Sequence, residues 1–484
     1  MNRLGCLRVL NLQHMLLIGF ACSSSVDGAL GQALAQNGEP KSIFDTVISR
    51  NKAPSMEHSA GPASEVSEPG GVGGPKAGEG IPKAPASVDQ PSKARLAAPA
   101  AGSATAVVRK ASVSGDALRS RFQLALSQGV RAEIFTLANP YRVIVDLPDV
   151  SFELAEGTGR KGGGLVSAFR YGLFAERKGR IVLDATAPVR IATAKMTATR
   201  QGGVVLHIEL DAISVAEFGA GTGASAAAAL PKPAIFDDGL PTKTKSAKPL
   251  IVIDPGHGGI DPGAVGVDNI SEKSVVLAVG HKIRRRLEAT GRYRVELTRS
   301  TDVFVALDQR VKISRDAGAD LFVSLHADSI AAEAYSGVVR GASIYTLSER
   351  ATDEKARLKA EKENASDALA GIDNSALDDA NSEVRSILMD LMKRETSNFS
   401  TDFSNILVAR LRGQVVLTRE PQRAAAFKVL KQTHAPAVLI ELGYMSNSSD
   451  SALMRQPDWQ GKVAQAIVRA VDAFFDKRTA GSAP

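Results

Sequence analysis

Two stretches poor in apolar residues divide this chain of 484 residues into separate parts. Residues 37–110 and 216–248 consist largely of Gly, Ala, Pro, Ser and Lys, and they show no apolar periodicity. Such segments cannot bury enough apolar surface to offset the entropy lost on ordering. We therefore expect two flexible linkers, with folded units at residues 111–215 and 249–478.

Residues 1–36 have the pattern of an export signal. Arg3 and Arg8 supply positive charge, a short apolar run follows, and Ala33-Leu34-Ala35 offers a cleavage site. The apolar run is shorter than the roughly 20 residues of a membrane-spanning helix. We expect an exported, periplasmic protein whose signal peptide is removed.

Both cysteines of the chain, Cys6 and Cys22, lie inside this predicted signal. Cleavage after residue 35 would leave no cysteine, which excludes disulfide bonds and a thiol nucleophile. The alternative that Cys22 is lipidated is less favoured, because Gly19 stands where a lipoprotein signal usually has a branched aliphatic residue.

The formal net charge of +7 favours an acidic partner. No recognisable nucleic-acid-binding module accompanies this charge, so we expect no nucleic acid partner. An anionic polymer of the cell envelope is the favoured interpretation.

Residues 111–215 contain several short apolar or alternating runs separated by turn signals. Arg142–Asp146, Arg180–Asp184 and Val204–Leu210 are of strand length, and Asn139-Pro140 and Gly202-Gly203 mark turns. This spacing predicts a small β-sandwich.

Strand and helix patterns alternate in residues 249–478, which predicts an α/β domain with a mixed sheet covered by helices. A helix is predicted over Glu272–Ala289, because Val275, Val279, Ile283 and Leu287 share one face. Functional residues of such domains collect where strands end.

Three polar residues stand at element ends in this second unit. His257 follows the apolar run 251–254 in a Gly-rich turn, His326 follows the run 321–325, and Glu272 begins the predicted helix. Two imidazoles and one carboxylate from separate elements form a ligand set of catalytic zinc, with a fourth position left for water. Zn²⁺ is therefore the predicted cofactor.

Glu441 follows the apolar run 437–440. Burial of a carboxylate is costly unless the group is paired or has a function. Beside zinc, it could accept a proton from bound water and deliver it to a leaving nitrogen.

Each of these residues also has a structural explanation. The turn around His257 could be a phosphate loop, Glu272 could cap a helix, and Glu441 could belong to a buried ion pair. Only the combination favours a metal site.

Two parts of the chain resemble known families. Residues 138–147, 166–172 and 180–184 resemble an AMIN domain, which implies peptidoglycan binding and targeting to the division septum. The catalytic domain of zinc-dependent N-acetylmuramoyl-L-alanine amidases of the cell-division type is similar to residues 249–477. The matching motifs are Ile253-Asp-Pro-Gly-His-Gly-Gly-Ile-Asp-Pro-Gly-Ala264, Ser271-Glu-Lys273, Leu297-Thr-Arg299, Ser324-Leu-His-Ala-Asp328 and Leu439-Ile-Glu-Leu-Gly-Tyr-Met-Ser-Asn447.

The resemblance implies that His257, Glu272 and His326 bind zinc and that Glu441 is the general base. It places Asp328 where the family has a further ligand or an outer-sphere residue. The implied reaction is hydrolysis of the amide between the lactyl group of N-acetylmuramic acid and L-alanine of the stem peptide, for daughter-cell separation.

Residues 348–410 form a charged insert between the strands that precede His326 and Glu441. By composition this is a solvated surface helix. The resemblance instead implies a helix that covers the zinc, with Glu363 as the blocking ligand and Glu361 as the second candidate. It also implies an activator protein with a degenerate LytM domain that displaces this helix.

Two other functions remain open from the sequence. A non-catalytic peptidoglycan-binding division protein would need only the sandwich and the linker. A zinc carboxypeptidase would use the same residue types but cut within the stem peptide.

Overall fold

The structure is a computed structural model that describes residues 94–96, 105–200, 202–222, 248–266, 269–329, 339–372 and 386–480. Within these ranges, the side chains of residues 94–95, 328 and 386–393 are not described. The predicted signal peptide 1–36, with Cys22, lies outside the described residues, as do most of the predicted linkers 37–110 and 216–248. No helix in the described ranges is both long and apolar enough to cross a membrane.

The first described part is a β-sandwich of two five-stranded sheets. One sheet has the order β1-β4-β5-β8-β7, and the other has the order β6-β2-β3-β10-β9. The strands are β1 (Ala94–Leu96), β2 (Ala106–Gly115), β3 (Arg119–Leu126), β4 (Ala132–Leu137), β5 (Arg142–Pro148), β6 (Val150–Phe152), β7 (Val166–Ala175), β8 (Lys178–Ala185), β9 (Val189–Ala198) and β10 (Val204–Ala212).

Alternation of buried and exposed residues explains why these segments form a sandwich. In β3, Phe122, Leu124 and Leu126 point inward, and in β10, Leu206 and Ile208 do the same. Successive side chains of a strand face opposite sides of the sheet, so each strand contributes one face to the shared core. A short helix, α1 (Val215–Phe218), follows the last strand.

Strand pairing begins a few residues before residue 111, where the folded unit was predicted to start. Strand β1 pairs with β4, and β2 begins at Ala106, inside the stretch that was predicted to be a linker. The Ala-rich residues around these strands resemble a linker in composition. Their conformation is decided by the partner strands, which local composition does not reveal.

The second part is built on a six-stranded mixed sheet with the order β12-β11-β13-β16-β14-β15. The first four strands of this order are parallel, β14 runs antiparallel to β16, and β15 is parallel to β14. The strands are β11 (Leu250–Pro255), β12 (Arg294–Leu297), β13 (Leu321–Asp328), β14 (Ala342–Leu347), β15 (Leu417–Ala425) and β16 (Ala437–Tyr444).

Helices cover both faces of this sheet, so the predicted fold class is confirmed. The helices are α2 (Glu272–Ala289), α3 (Leu307–Ala317), α4 (Glu354–Asn364), α5 (Ser366–Leu369), α6 (Ser386–Leu411), α7 (Ser448–Met454) and α8 (Pro457–Ala480), with a 3₁₀ turn at Lys428–Leu430. Helices α2, α6 and α8 share one core with the sheet, and α3 and α4 pack into a second core on the other face.

Helix α2 has the predicted bounds, and its predicted face is buried. Two central strands, however, extend beyond the predicted ends. His326 lies within β13, and Glu441 lies opposite it within β16, rather than at the end of a strand. The strands continue because Ala327 and Leu442 are buried as well.

A buried ion pair fixes the end of β11. Asp254 is fully buried and accepts hydrogen bonds from Arg310 (2.7 Å), Thr298 (2.6 Å) and Ser324 (2.7 Å). Burial favours the neutral carboxyl, but these donors outweigh it and hold the pKa of Asp254 below its usual value. Arg310 also donates to the backbone carbonyls of Pro255 and His257.

Arg299 holds the same stretch of backbone from the other side. Its guanidinium donates to the carbonyl oxygens of Pro255 (2.8 Å), Gly256 (2.8 Å) and Lys273 (2.8 Å). Burial lowers the pKa of Arg299 to about 10, which still leaves the group charged at neutral pH. The chain after β11 is therefore held by two arginines.

We expect Asp254→Asn to destabilise the mixed-sheet domain, because Arg310 would be left as a buried charge without its counter-ion. Breaking a buried pair in this way costs about 3–5 kcal/mol. Denaturant unfolding of the variant measures this loss. Asp308→Asn, on the exposed side of the helix that carries Arg310, is the control and should change stability by less than about 0.5 kcal/mol. Equal stability of the two variants would contradict the prediction.

Candidate metal centre

His257 is placed by a strained turn directly after β11. Its φ is 56°, and Gly258 and Gly259 follow with φ of 124° and 55°. A side chain at Gly258 would put a Cβ 2.2 Å from the carbonyl oxygen of Val303. The turn therefore needs glycine at this position, and it holds His257 in a conformation that non-glycine residues seldom adopt.

The imidazoles of His257 and His326 meet the carboxylate of Glu272 at one point. The Nε2 atom of His257 is 3.0 Å from Glu272 Oε1, and the Nδ1 atom of His326 is 3.2 Å from the same oxygen. The two imidazole nitrogens are 3.1 Å apart. All three residues are buried. The structure thus brings together the three residues that the sequence indicated as ligands.

Backbone amides orient the Glu272 carboxylate. The amide of Ala327 donates to Oε1 (2.7 Å), and the amide of Ala264 donates to Oε2 (2.8 Å). Burial favours the neutral acid, but His257 and the other neighbours outweigh it and lower the pKa of Glu272 well below its usual value. The group is a fixed anion.

Asp261 is a site residue that the sequence interpretation did not single out. Its Oδ2 atom is 2.8 Å from Nδ1 of His257, and its Oδ1 atom accepts from the amide of Gly263 (3.0 Å). A carboxylate in this position fixes the ring so that Nε2 faces the centre, as is typical of metal-binding histidines. Its place four residues after His257, inside the same motif, was the available signal.

Helix α4 of the insert carries Glu363 into the centre. Its Oε2 atom is 3.4 Å from Nε2 of His257 and 3.3 Å from Nδ1 of His326. Burial raises the pKa of the carboxyl, but Lys359 and the two histidines outweigh it and lower the pKa to about 2. Glu361 lies on the exposed side of the same helix, where it pairs with Arg357.

Lys359, one turn before Glu363, connects the insert to Glu441. Its Nζ atom is 2.9 Å from Glu363 Oε1 and 3.0 Å from Glu441 Oε1. Both Lys359 and Glu441 are buried. Composition indicated only a charged helix, and the i, i+4 spacing to Glu363 was the one signal that Lys359 shares its face.

Asp328, the remaining residue that the resemblance indicated, ends β13, and its side chain lies outside the described residues. Three further histidines lie outside the centre. His207 lies on a strand face of the sandwich, where it contacts Gln123 and Thr197. His281 contacts the carbonyl oxygen of Ser300, and His434 contacts Ser314.

The donor set at the centre fits a zinc ion. One nitrogen of each histidine and a carboxylate oxygen of Glu363 lie within 4.8 Å of one another, and Glu272 adds a second carboxylate at the same point. Imidazole and carboxylate donors are typical of zinc sites. So is a carboxylate, here that of Asp261, hydrogen-bonded to the histidine nitrogen that does not face the metal. Two buried carboxylates at the same point, those of Glu272 and Glu363, also attract a cation.

Comparison with known proteins assigns both parts of the chain to families. Residues 251–473 match the family described as N-acetylmuramoyl-L-alanine amidase, and residues 110–207 match the AMIN domain. The matched ranges coincide with the mixed-sheet domain and with most of the β-sandwich.

Several amidases are similar in sequence. N-acetylmuramoyl-L-alanine amidase AmiA of Escherichia coli (strain K12) is 35% identical over 234 residues, covering 48% of this chain and 78% of that protein. AmiC of Neisseria meningitidis serogroup B is 33% identical over 230 residues, covering 47% of this chain and 53% of that protein. The solved catalytic domain of CwlV from Bacillus (Paenibacillus) polymyxa var. colistinus is 29% identical, covers 47% of this chain and 98% of that chain, and has a TM-score of 0.31.

The AmiA amidase of Salmonella typhimurium is 34% identical over 235 residues and is covered over 78% of its length. Identity at this level over most of a relative's length, together with the two family matches, settles the family. The chain belongs to the N-acetylmuramoyl-L-alanine amidases and carries an AMIN domain in front of the amidase domain.

Proposed function

We propose that this chain is a zinc-dependent amidase that hydrolyses the bond between the lactyl group of N-acetylmuramic acid and L-alanine in peptidoglycan. The observation that carries the proposal is the meeting of His257, Glu272 and His326 at one buried point, with Glu441 opposite His326 on the neighbouring strand. Family membership supports the amide as the bond that is cut.

His257, Glu272 and His326 would hold the zinc ion. When bound, zinc would lower the pKa of a water molecule to about 7 and polarise the carbonyl of the substrate. The chain prepares for this by fixing each donor: Asp261 orients His257, and two backbone amides orient Glu272.

Glu441 moves the proton. Its carboxylate takes a proton from the attacking water as the water oxygen forms a bond to the lactyl carbonyl carbon. The same proton then passes to the alanine nitrogen as the carbon–nitrogen bond breaks, which yields a lactyl carboxylate and a free amino group. No covalent link between substrate and protein is needed.

The conformation described by the structure supports autoinhibition by helix α4, called here the plug helix. Glu363 occupies the space between the two histidines, and Lys359 engages Glu441. A cavity of about 10 Å³ is left beside them, which is room for about one water molecule. The plug helix therefore blocks both the proposed metal position and the proposed base.

The resemblance also supports location in the periplasm, recruitment to the division septum by the AMIN domain, and release of the plug helix by an activator with a degenerate LytM domain. The net charge of +7 suits binding to an anionic wall polymer.

The reaction products test the proposal. The zinc-loaded Glu363→Ala variant lacks the proposed blocking carboxylate. It is expected to release stem peptides that begin with L-alanine from sacculi. Adding Glu441→Gln should lower this rate by about 10²–10⁴, because proton transfer is lost. Mass spectrometry of the soluble products measures both.

EDTA followed by added zinc is the control for metal dependence. Fragments cut within the stem would support the carboxypeptidase alternative instead. Binding to sacculi with no released peptide in either variant would support a non-catalytic wall-binding protein.

A second prediction concerns the carboxylate behind His257. Asp261→Asn is expected to weaken zinc binding by about 10–100-fold, because the imidazole loses its fixed orientation and part of its basicity. Competition with a chromophoric chelator measures the affinity. Asp402→Asn, which changes an exposed carboxylate of α6 that pairs with Lys477, is the control and should leave affinity unchanged. Parental affinity in Asp261→Asn would show that this carboxylate does not support the site.

A third prediction concerns the plug itself. Glu363→Ala is expected to raise basal hydrolysis of sacculi by at least about tenfold, the ratio that corresponds to 1.4 kcal/mol of lost inhibitory contact. Glu361→Ala, on the exposed side of the same helix, is the matched control and should behave like the parent. Equal rates for parent and Glu363→Ala, in zinc-loaded and folded protein, would reject the plug.

A further inference from the structure

The insert has a second anchor, which lies on the β-sandwich. After the plug helix, the chain continues through Ala365 into α5 and turns at Gly371, whose φ is 83°. This turn packs on strands β5 and β8, against Ile144 and Arg180. The contact uses the face of that sheet that points away from the sandwich core. The segment that carries Glu363 is thus held by both domains.

Two buried arginines of the sandwich bind backbone carbonyls of this segment. Arg142 donates to the carbonyl oxygen of Ala368. The Nη1 atom of Arg180 lies 2.9 Å from the carbonyl oxygen of Ala370 and 3.4 Å from that of Gly371. A backbone carbonyl oxygen has two lone pairs, so it can accept a hydrogen bond from a side chain in addition to one from the backbone. A guanidinium group, with five N–H donors, is a suitable partner for several such oxygens.

Arg180 is fixed in place by the sandwich itself. It forms two hydrogen bonds with Asp146, of 2.6 Å and 2.9 Å, and its guanidinium lies 3.4 Å from the ring centroid of Phe174. Only 1% of the side chain is exposed. A donor held in this way loses little conformational freedom when the insert binds, so the contact is preorganised.

An apolar cluster surrounds these hydrogen bonds. The sandwich contributes Phe135, Leu137, Ile144, Phe174 and Val182, the amidase domain contributes Ile260, Phe304 and Ala306, and the insert contributes Ala370 with Ile372 packed beside it. The rings of Phe174 and Phe304 are stacked, with centroids 5.9 Å apart. The cluster excludes water from the arginine contacts, which strengthens them.

The sandwich also contacts the turn that positions His257. The carbonyl oxygen of Leu173 in β7 accepts hydrogen bonds from the amides of Ile260 (3.3 Å) and Phe304 (3.1 Å). A Cβ at Gly172 would lie 2.3 Å from the backbone of Gly259, so these two backbone segments are too close together for any residue but glycine at position 172. The sandwich therefore touches the metal-binding turn and the insert at the same time.

We propose that the β-sandwich is part of the inhibitory device. By holding the C-terminal end of the segment Glu354–Ile372, it keeps Glu363 between His257 and His326. Separation of the sandwich from the insert loosens the plug helix. This inference rests on the proposed plug function, and it gives the sandwich a regulatory contact within the chain in addition to binding of the wall.

A substitution on the insert side tests the contact without altering the sandwich core. Gly371→Val places a branched side chain against Ile144 and Arg180, where a Cβ alone would come within 2.9 Å and 3.3 Å of them. Gly413→Val is the matched control, because Gly413 has a similar φ of 78° in a turn of the same domain and its Cβ would meet nothing within 4 Å. Both variants carry the same backbone strain, and only the first disturbs the contact.

We expect Gly371→Val to raise amide hydrogen exchange of residues 354–364 at least about tenfold, as loss of charge-assisted hydrogen bonds predicts. Basal hydrolysis of sacculi should rise as well. The full-length, zinc-loaded protein is used for exchange by mass spectrometry, hydrolysis and thermal unfolding. Gly413→Val should match the parent in the first two measurements.

Arg142→Ala changes the sandwich side of the same contact. This variant tests the proposal if Gly371→Val fails to fold. It removes the donor to Ala368 and leaves the Arg180–Asp146 pair intact. We expect it to loosen the plug helix in the same direction. Folded variants with parental exchange over residues 354–364 would overturn the proposal.

The outcomes separate this inference from the proposed plug. If Glu363→Ala raises hydrolysis while Gly371→Val and Arg142→Ala leave the plug helix protected, the plug stands and the sandwich contact is rejected. If those two variants loosen the helix but none of the three raises hydrolysis, the sandwich holds the helix in place, and its inhibitory role is rejected together with the plug.

Discussion

The buried pair of Asp254 and Arg310 is the interaction on which the rest of the centre depends. The pair lies at the C-terminal end of β11, inside the mixed sheet. Arg310 also donates to the backbone carbonyls of Pro255 and His257 in the next turn. His257 follows within three residues, in a conformation that would relax without this support. A buried charged pair thus helps to determine where the first imidazole lies.

The centre is assembled from elements far apart in the sequence, and each contributes one group. Parallel strands β11 and β13 bring the two histidines to one edge of the sheet, α2 begins with Glu272, and β16 places Glu441 beside β13. The insert then adds an anion and a cation from one helix face. On this one helix, Lys359 pairs with the carboxylate of Glu441, and Glu363 contacts the imidazoles of His257 and His326.

Much of this arrangement could be predicted from the sequence, because strand ends are legible as changes from apolar to polar residues. His257 follows such a change, His326 and Glu441 are polar residues directly after apolar runs although their strands continue past them, and Glu272 begins a helix. Lys359 and Arg180 could not be found in this way. Their importance comes from contacts between domains, and a lysine in a charged helix or an arginine in an alternating strand has the same local pattern as any exposed cation. The early strand β1 was missed for a similar reason, since its pairing depends on a distant partner.

The plug helix is inserted between β14 and β15 of the same sheet that carries the centre, so it remains covalently attached when it moves away. Tethered ligands act at effective concentrations in the millimolar range. A blocking group of modest intrinsic affinity is then sufficient, and it returns as soon as whatever displaced it departs. A plug of the proposed kind would make cutting reversible, because the enzyme would act only while the helix is held away from the centre.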